Sequence, residues 1–179
     1  IVNALFGYGS FNKNDVEMTA TALKFFGYGV PAFALIKILS NFFFARDNTK
    51  TPFYVSSFIV FLNILISVIF FNKIGFTIIP IATSISTWAG VFIYIYLLNK
   101  KRILLLKNQF ITNFTRILVS TILMALVLIV SLDSYANNLE YNYEYKAIYL
   151  ISIVSLVGML YLLSCYLLGI LKLKNYKTK

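Results

Sequence analysis

The sequence predicts an all-α integral membrane protein, a polytopic bundle of five transmembrane helices. Of its 179 residues, 60% are hydrophobic and 12% are charged, whereas a soluble domain carries about 25% charged residues. Five apolar runs each reach roughly 20 residues, the length that crosses a hydrocarbon core about 30 Å thick. Backbone N–H and C=O groups cannot stay unpaired in lipid, so each run is expected to be helical.

The first predicted helix runs from about Thr19 to Ala45. Its interior contains Gly27, Gly29 and Pro31. Proline removes one backbone hydrogen bond and bends a helix. We therefore expect a kink near these three residues, where the helix could act as a hinge.

The second and third predicted helices form an antiparallel pair. The second runs from Pro52 to Phe71, with proline at the first helical position, where its missing N–H has no cost. The third runs from about Ile78 to Asn99. The connection between them is short and contains Gly75, so the two helices are expected to lie side by side.

The last two predicted helices run from about Phe114 to Leu132 and from about Tyr145 to Leu171. The chain begins at Ile1 without a signal-peptide pattern, and we expect it to be part of a longer protein. The expected segments are a helix end with an outer loop (1–18), three helices (19–99), a basic loop (100–113), two C-terminal helices (114–171) and a basic tail (172–179).

The net charge of +10 is best explained by basic residues at the membrane surface. The basic residues lie in short clusters between apolar runs, so they suit anionic lipid headgroups and not nucleic acid. If the helices alternate in direction, ten of the 16 Lys and Arg residues fall on one side. Lys13, Lys73 and Lys146 fall on the other side, and the remaining three, Lys24, Lys37 and Arg116, lie within or beside helices. The basic side is predicted to be cytoplasmic and to contain the C-terminus.

The composition argues against an enzyme. There is no histidine, one cysteine (Cys165) and six acidic residues. We find no paired carboxylates, nucleophile–base pair or phosphate-binding glycine loop. No catalytic residue and no resident cofactor are predicted, and no residue set has the spacing of a metal site.

Lys37 is the most informative single residue, because it lies roughly 12 Å from the predicted cytoplasmic helix end at ~1.5 Å per residue. A charge at that depth costs several kcal/mol in lipid. Either its long side chain reaches back to the headgroups, or its ammonium group faces a polar cavity and holds phosphate or pyrophosphate. Asn41 lies one turn away and could share such a site.

Two further polar groups leave alternatives open. Asn63 and Ser67 share a face of the second predicted helix, and Thr83 lies on the third. These residues either join helices by hydrogen bonds or provide oxygens to a cation. Five tyrosines near the outer end of the last two helices form either an interfacial belt or a headgroup site: Tyr135, Tyr141, Tyr143, Tyr145 and Tyr149.

Several stretches together resemble the MurJ/MviN family of lipid II flippases. These are residues 5–11 (LFGYGSF), 31–39 (PAFALIKIL), 42–52 (FFFARDNTKTP) and 75–88 (GFTIIPIATSISTW). They occur in the family's order, with helices between them. The resemblance implies the last five of fourteen transmembrane helices, with the N-terminal half of the same protein missing from this chain.

The resemblance also implies roles for residues. Lys37 corresponds to a lysine of the family's central cationic cavity, and Arg46 belongs to its cytoplasmic turn. A sodium site reported for some members would use Asn63, Ser67, Thr83 and the carbonyl of Ile79. The last two helices would form a groove for the polyprenyl tail of the lipid.

The function implied is transport of undecaprenyl-pyrophosphate-linked peptidoglycan precursor (lipid II) across the bacterial inner membrane by alternating access. Expected partners are lipid II and membrane lipids, and sodium, protons or the membrane potential could drive transport. The alternatives are a flippase for O-antigen or other polysaccharide lipids, a drug exporter of the same superfamily, or a membrane scaffold that transports nothing.

Overall fold

A computed structural model describes residues 1–101, 108–140 and 143–170, apart from the side chains of residues 108–111 and 137. These residues form six α-helices and two short 3₁₀ turns. The bounds are α1 Val2–Phe6, α2 Lys13–Phe44, α3 Lys50–Ile74, α4 Ile78–Lys100, α5 Asn108–Ser134 and α6 Lys146–Leu167, with 3₁₀ turns at Gly75–Thr77 and Ala136–Leu139. The predicted tail 172–179 lies outside the described residues, as do residues 102–107 of the predicted basic loop 100–113.

The prediction of a helical membrane bundle is confirmed. Four described stretches are long and apolar enough to cross a membrane. One of them, Lys50–Lys100, is 51 residues long and contains both α3 and α4. It folds back on itself at Gly75, whose φ of 74° is a left-handed conformation that glycine adopts without steric cost. The five long helices are therefore those that the apolar runs predicted.

One compact unit consists of α2, α3 and α4. Helices α3 and α4 are antiparallel, because Ile59 lies against Gly90 while Asn63 bonds to Thr83. Helix α2 lies parallel to α4. The buried core between the three helices consists of Ala32, Leu39, Phe43, Val55, Val91, Tyr94 and Leu98.

The other compact unit contains α1, α5 and α6. Helices α5 and α6 form an antiparallel pair, with the rings of Tyr135 and Tyr149 6.2 Å apart at one end. The short helix α1 packs against α6, and its residues Val2 and Ala4 are buried. Most large apolar side chains of α5 and α6 point outward, as residues that contact lipid do.

Helix ends differ from the predicted ones for two reasons. Helix α2 begins at Lys13 instead of Thr19, because a polar first turn can be helical outside the hydrocarbon and hydropathy detects only the apolar part. Helix α6 ends at Leu167 instead of Leu171. Gly169 has a φ of 69°, and Ile170 N–H donates to Cys165 O, the pattern of a Schellman motif that ends a helix.

Candidate functional site

Lys37 lies on the outward side of α2. The core positions of this helix include Ala32, Leu39 and Phe43, whereas Lys37 and Asn41 are both exposed. Because they are four residues apart, Lys37 and Asn41 are neighbours on one helical face. Lys37 lies roughly 10 Å from the end of α2 at ~1.5 Å per residue. The α2–α4 unit thus leaves the amine outside its own core, and the substrate-binding role stays a prediction.

Arg46 lies in the turn that follows α2. Its Nη1 donates to the carbonyl of Phe42 at 2.9 Å, so the guanidinium folds back over the last turn of the helix. A cation at that position satisfies an unpaired carbonyl and complements the negative end of the helix dipole. Lys37, Asn41 and Arg46 therefore all belong to the second half of α2 and its end.

The turn around Arg46 is built by its neighbours. Asp47 adopts a φ of 53°, and Asn48 N–H donates to Phe43 O, which again is the bonding of a Schellman motif. The side-chain oxygen of Asn48 then accepts a hydrogen bond from Thr51 N–H at 3.1 Å. One asparagine therefore contributes both to the end of α2 and to the start of α3.

The residues predicted for a sodium site come together in part. Asn63 Nδ2 donates to Thr83 Oγ1 at 2.8 Å, and Thr83 Oγ1 donates to the carbonyl of Ile79 at 2.8 Å. Ser67 is one turn along α3 from Asn63, and its buried hydroxyl has no hydrogen-bond partner among the described residues. The group thus lies between α3 and α4.

In this arrangement Asn63, Thr83 and the Ile79 carbonyl bond to one another instead of converging on a cation position. A hard cation needs several oxygen ligands, but the proton of Thr83 points at the carbonyl of Ile79 and Asn63 directs its nitrogen toward Thr83. Neither α3 nor α4 contains an acidic residue. The observed bonds match the alternative interpretation, polar residues that join two membrane helices, and sodium binding stays a prediction.

The predicted hinge residues differ in their surroundings. Helix α2 continues through Pro31. A side chain at Gly27 would meet nothing within 4 Å, whereas a Cβ at Gly29 would lie 2.8 Å from Ser84 Oγ and 3.3 Å from Ser84 Cα. Gly29 therefore permits the close approach of α2 and α4. A hinge role for the three residues stays a prediction.

Two residues connect α4 to the bend region, and of these the sequence reasoning missed the role of Trp88. Ser84 Oγ donates to the carbonyl of Phe25 at 2.6 Å, and Trp88 Nε1 donates to the carbonyl of Tyr28 at 2.9 Å. Pro31 cannot supply the N–H that would pair with the Gly27 carbonyl. A signal was present in the sequence. Ser84 and Trp88 are four residues apart, so they share a face of α4 that can meet the Gly–Pro segment of α2.

The tyrosines at the end of the α5–α6 pair form one cluster. The Tyr149 ring lies 5.8 Å from that of Tyr143 and 6.2 Å from that of Tyr135. With Tyr145 they line a cavity of about 480 Å³. Tyr141 lies outside the described residues. The choice between an interfacial belt and a headgroup site stays open.

The family model and the individual relatives that match this chain all point to one protein family. The family model described as lipid II flippase MurJ matches residues 1–150. A probable lipid II flippase MurJ of Buchnera aphidicola subsp. Schizaphis graminum is 32% identical over 100% of this chain and 35% of the relative. One from Vibrio cholerae is 28% identical over 97% of the chain and 33% of the relative. The chain thus spans about a third of the length of these curated relatives.

Proposed function

Because the chain belongs to the MurJ family of lipid II flippases, we propose that its full-length gene product moves lipid II across the bacterial inner membrane. The cargo would be the undecaprenyl-pyrophosphate-linked disaccharide-pentapeptide, carried from the cytoplasmic to the periplasmic leaflet. The protein would be a transporter and not an enzyme. The family match over residues 1–150 is the observation that carries this proposal.

Lys37 is proposed to attract the pyrophosphate of the cargo. Its amine lies outside the core of the α2–α4 unit, on a helix that is otherwise apolar at this depth. A lysine ammonium is a mobile point charge that suits phosphate groups. Asn41 on the same face adds a neutral hydrogen-bonding group, and Arg46 adds a second cation toward the cytoplasmic end.

Transport is proposed to proceed by alternating access. Bending of α2 at Gly27 and Pro31 would change the direction of the Lys37 face, while the bonds from Ser84 and Trp88 hold the preceding turn to α4. The outward apolar faces of α5 and α6 would contact the polyprenyl tail. Sodium, protons or the membrane potential would supply the driving force.

The orientation follows from the charge bias. With ten of the 16 basic residues on one side, the positive-inside rule favours a cytoplasmic C-terminus. The protein would be a multi-pass protein of the inner membrane, with α2 and α4 running from the periplasmic to the cytoplasmic side. Anionic lipids would be its headgroup partners on the cytoplasmic side.

A depletion experiment tests the proposal. Cells that lose their native lipid II flippase receive the full-length gene, and lipid II in the outer leaflet is measured together with growth. Rescue of both is expected. Lys37→Gln should lower export, whereas Lys24→Gln, at another exposed lysine of α2, should not. A well-expressed protein that rescues neither export nor growth would overturn the function, and normal export with Lys37→Gln would remove Lys37 from it.

A further inference from the structure

Lys146, the first residue of α6, is buried to an unusual degree. Lys146 is only 1% exposed. No other residue with a formal charge is buried among those that the structure describes. The sequence had suggested only a basic residue in the outer loop region.

The ammonium group of Lys146 faces α1 and the two residues that follow it. It donates to the carbonyl of Gly7 at 2.7 Å and makes a longer contact of 3.4 Å with Asn3 Oδ1. It also lies 4.2 Å from the centroid of the Tyr8 ring, a cation–π geometry that is strongest when the cation is desolvated. Three residues of one short segment thus surround the charge.

Asn3 and Gly7 complete the site. While Asn3 Oδ1 faces Lys146, Asn3 Nδ2 donates to the carbonyl of Leu139 at 2.8 Å, so one amide joins α1 to both sides of the α5–α6 connection. A Cβ at Gly7 would lie 2.7 Å from Asn3 Oδ1 and 2.6 Å from Asn3 O. Only glycine permits this approach.

Stability alone does not explain a charge at this position. Removing an ammonium from water costs several kcal/mol, and apolar replacements of buried ionic groups are often at least as stable. The Gly7 carbonyl, the Asn3 amide and the Tyr8 ring all lie within contact of the charge. A buried ionic group of this kind favours one arrangement of its helix over others.

We propose that Lys146 is a positioning residue that fixes the outer end of α6, and with it the α5–α6 pair, against residues 3–8. The inference rests on the proposed function, because its consequence concerns the lipid that these two helices contact. Without the charge, the pair would shift relative to α1 and present a less favourable surface to the lipid tail. Lys146 itself touches no substrate.

Loss of the charge is therefore expected to change KM more than the maximal rate. A misplaced α5–α6 pair weakens lipid binding and raises KM, whereas a purely structural defect lowers the active fraction and hence the maximal rate. Lys146→Met keeps the aliphatic stem and removes the charge. In proteoliposomes with the full-length protein and fluorescent lipid II, we expect its KM to rise roughly three- to tenfold.

Controls make the result decisive. Lys73→Met, at an exposed lysine of the predicted outer side, should leave KM unchanged. Asn3→Leu removes the contact with Lys146 and the bond to Leu139 O, so it should shift KM in the same direction as Lys146→Met. Because the two residues share one contact, the effect of the double variant should be smaller than the sum of the two single effects. If Lys146→Met does not fold, Tyr8→Leu removes the ring and its hydroxyl bond to Ala4 O and should also raise KM.

A labelling experiment separates this inference from the proposed function. In the solubilised wild-type protein, an amine-reactive acetylating reagent should modify Lys146 at least about tenfold more slowly than Lys73 if the open, reactive state is rare. Slow labelling with a raised KM supports the inference. Equal labelling of the two lysines, or an unchanged KM for Lys146→Met, overturns it. Absence of all export by the wild type would contradict the function and leave the labelling result to decide whether Lys146 is enclosed.

Discussion

Ser84 on α4 donates its hydroxyl proton to the main-chain carbonyl of Phe25 on α2, across 2.6 Å. This bond crosses between two parallel helices one and a half turns before Pro31. It exists because Gly29 lets the helices approach closely at that level. The two glycines before Pro31 therefore have different tasks, and substitutions can separate them.

Gly29→Ala is expected to destabilise the protein by ~1–3 kcal/mol, because the added methyl group would lie 2.8 Å from the Ser84 hydroxyl and in tight contact, at 3.3 Å, with Ser84 Cα. Gly27→Ala has open space and should be neutral or slightly stabilising, since alanine is a better helix former than glycine. Thermal unfolding in detergent measures both. Equal effects of the two substitutions would contradict the helix contact.

The Trp88 indole is expected to hold α2 to α4 through the Tyr28 carbonyl. Trp88→Phe keeps an aromatic ring but removes the N–H donor, and it should cost ~0.6 kcal/mol, the average for hydrogen bonds between membrane helices. Amide hydrogen exchange near residues 28–32 should become faster. Trp88→Phe with unchanged exchange there would show that the bond does not restrain the bend region.

Ser67→Ala is expected to be neutral or stabilising, because the buried hydroxyl has no partner among the described residues and its removal relieves a desolvation cost. Thr83→Val should destabilise, since it leaves Asn63 without its partner and removes the bond to Ile79 O. Unfolding temperatures in sodium and in potassium buffers check both. A loss of stability confined to sodium buffer for Ser67→Ala would instead support an ion site.

Asn48→Ala is expected to destabilise the α2–α3 turn by ~1 kcal/mol, because the Thr51 N–H loses the acceptor that caps α3. Asn48→Asp retains an acceptor oxygen and should be close to wild type. Thermal unfolding provides the comparison. Equal losses for the two variants would show that the side chain acts in some other way.

The apolar runs were sufficient to predict the five long helices and the fold-back at Gly75, because lipid leaves the backbone few alternatives. The helix ends were less predictable. Lys13 begins α2 in a polar turn that hydropathy does not detect, and Gly169 ends α6 within an apolar run through its left-handed conformation.

The residues of the candidate site could be chosen from the sequence, but the atoms that they contact could not. The depth of Lys37 could be found by counting residues from the helix end. That its side chain is exposed could be known only from the packing of α2 on α4. Lys146 shows the opposite case. Its position suggested a surface charge, and only the approach of Gly7 and Asn3 from 139 and 143 residues away shows that it is enclosed.

The full-length protein is proposed to export lipid II with the help of the Lys37 ammonium group. The most direct measurement is the movement of fluorescent lipid II across proteoliposomes that contain the wild-type protein, Lys37→Gln or Lys24→Gln. We expect transport by the wild type and Lys24→Gln, and at least a roughly tenfold loss for Lys37→Gln, equal to about 1.4 kcal/mol. Transport by Lys37→Gln at the wild-type rate, or no transport of lipid II by a folded wild-type protein, would contradict this proposal.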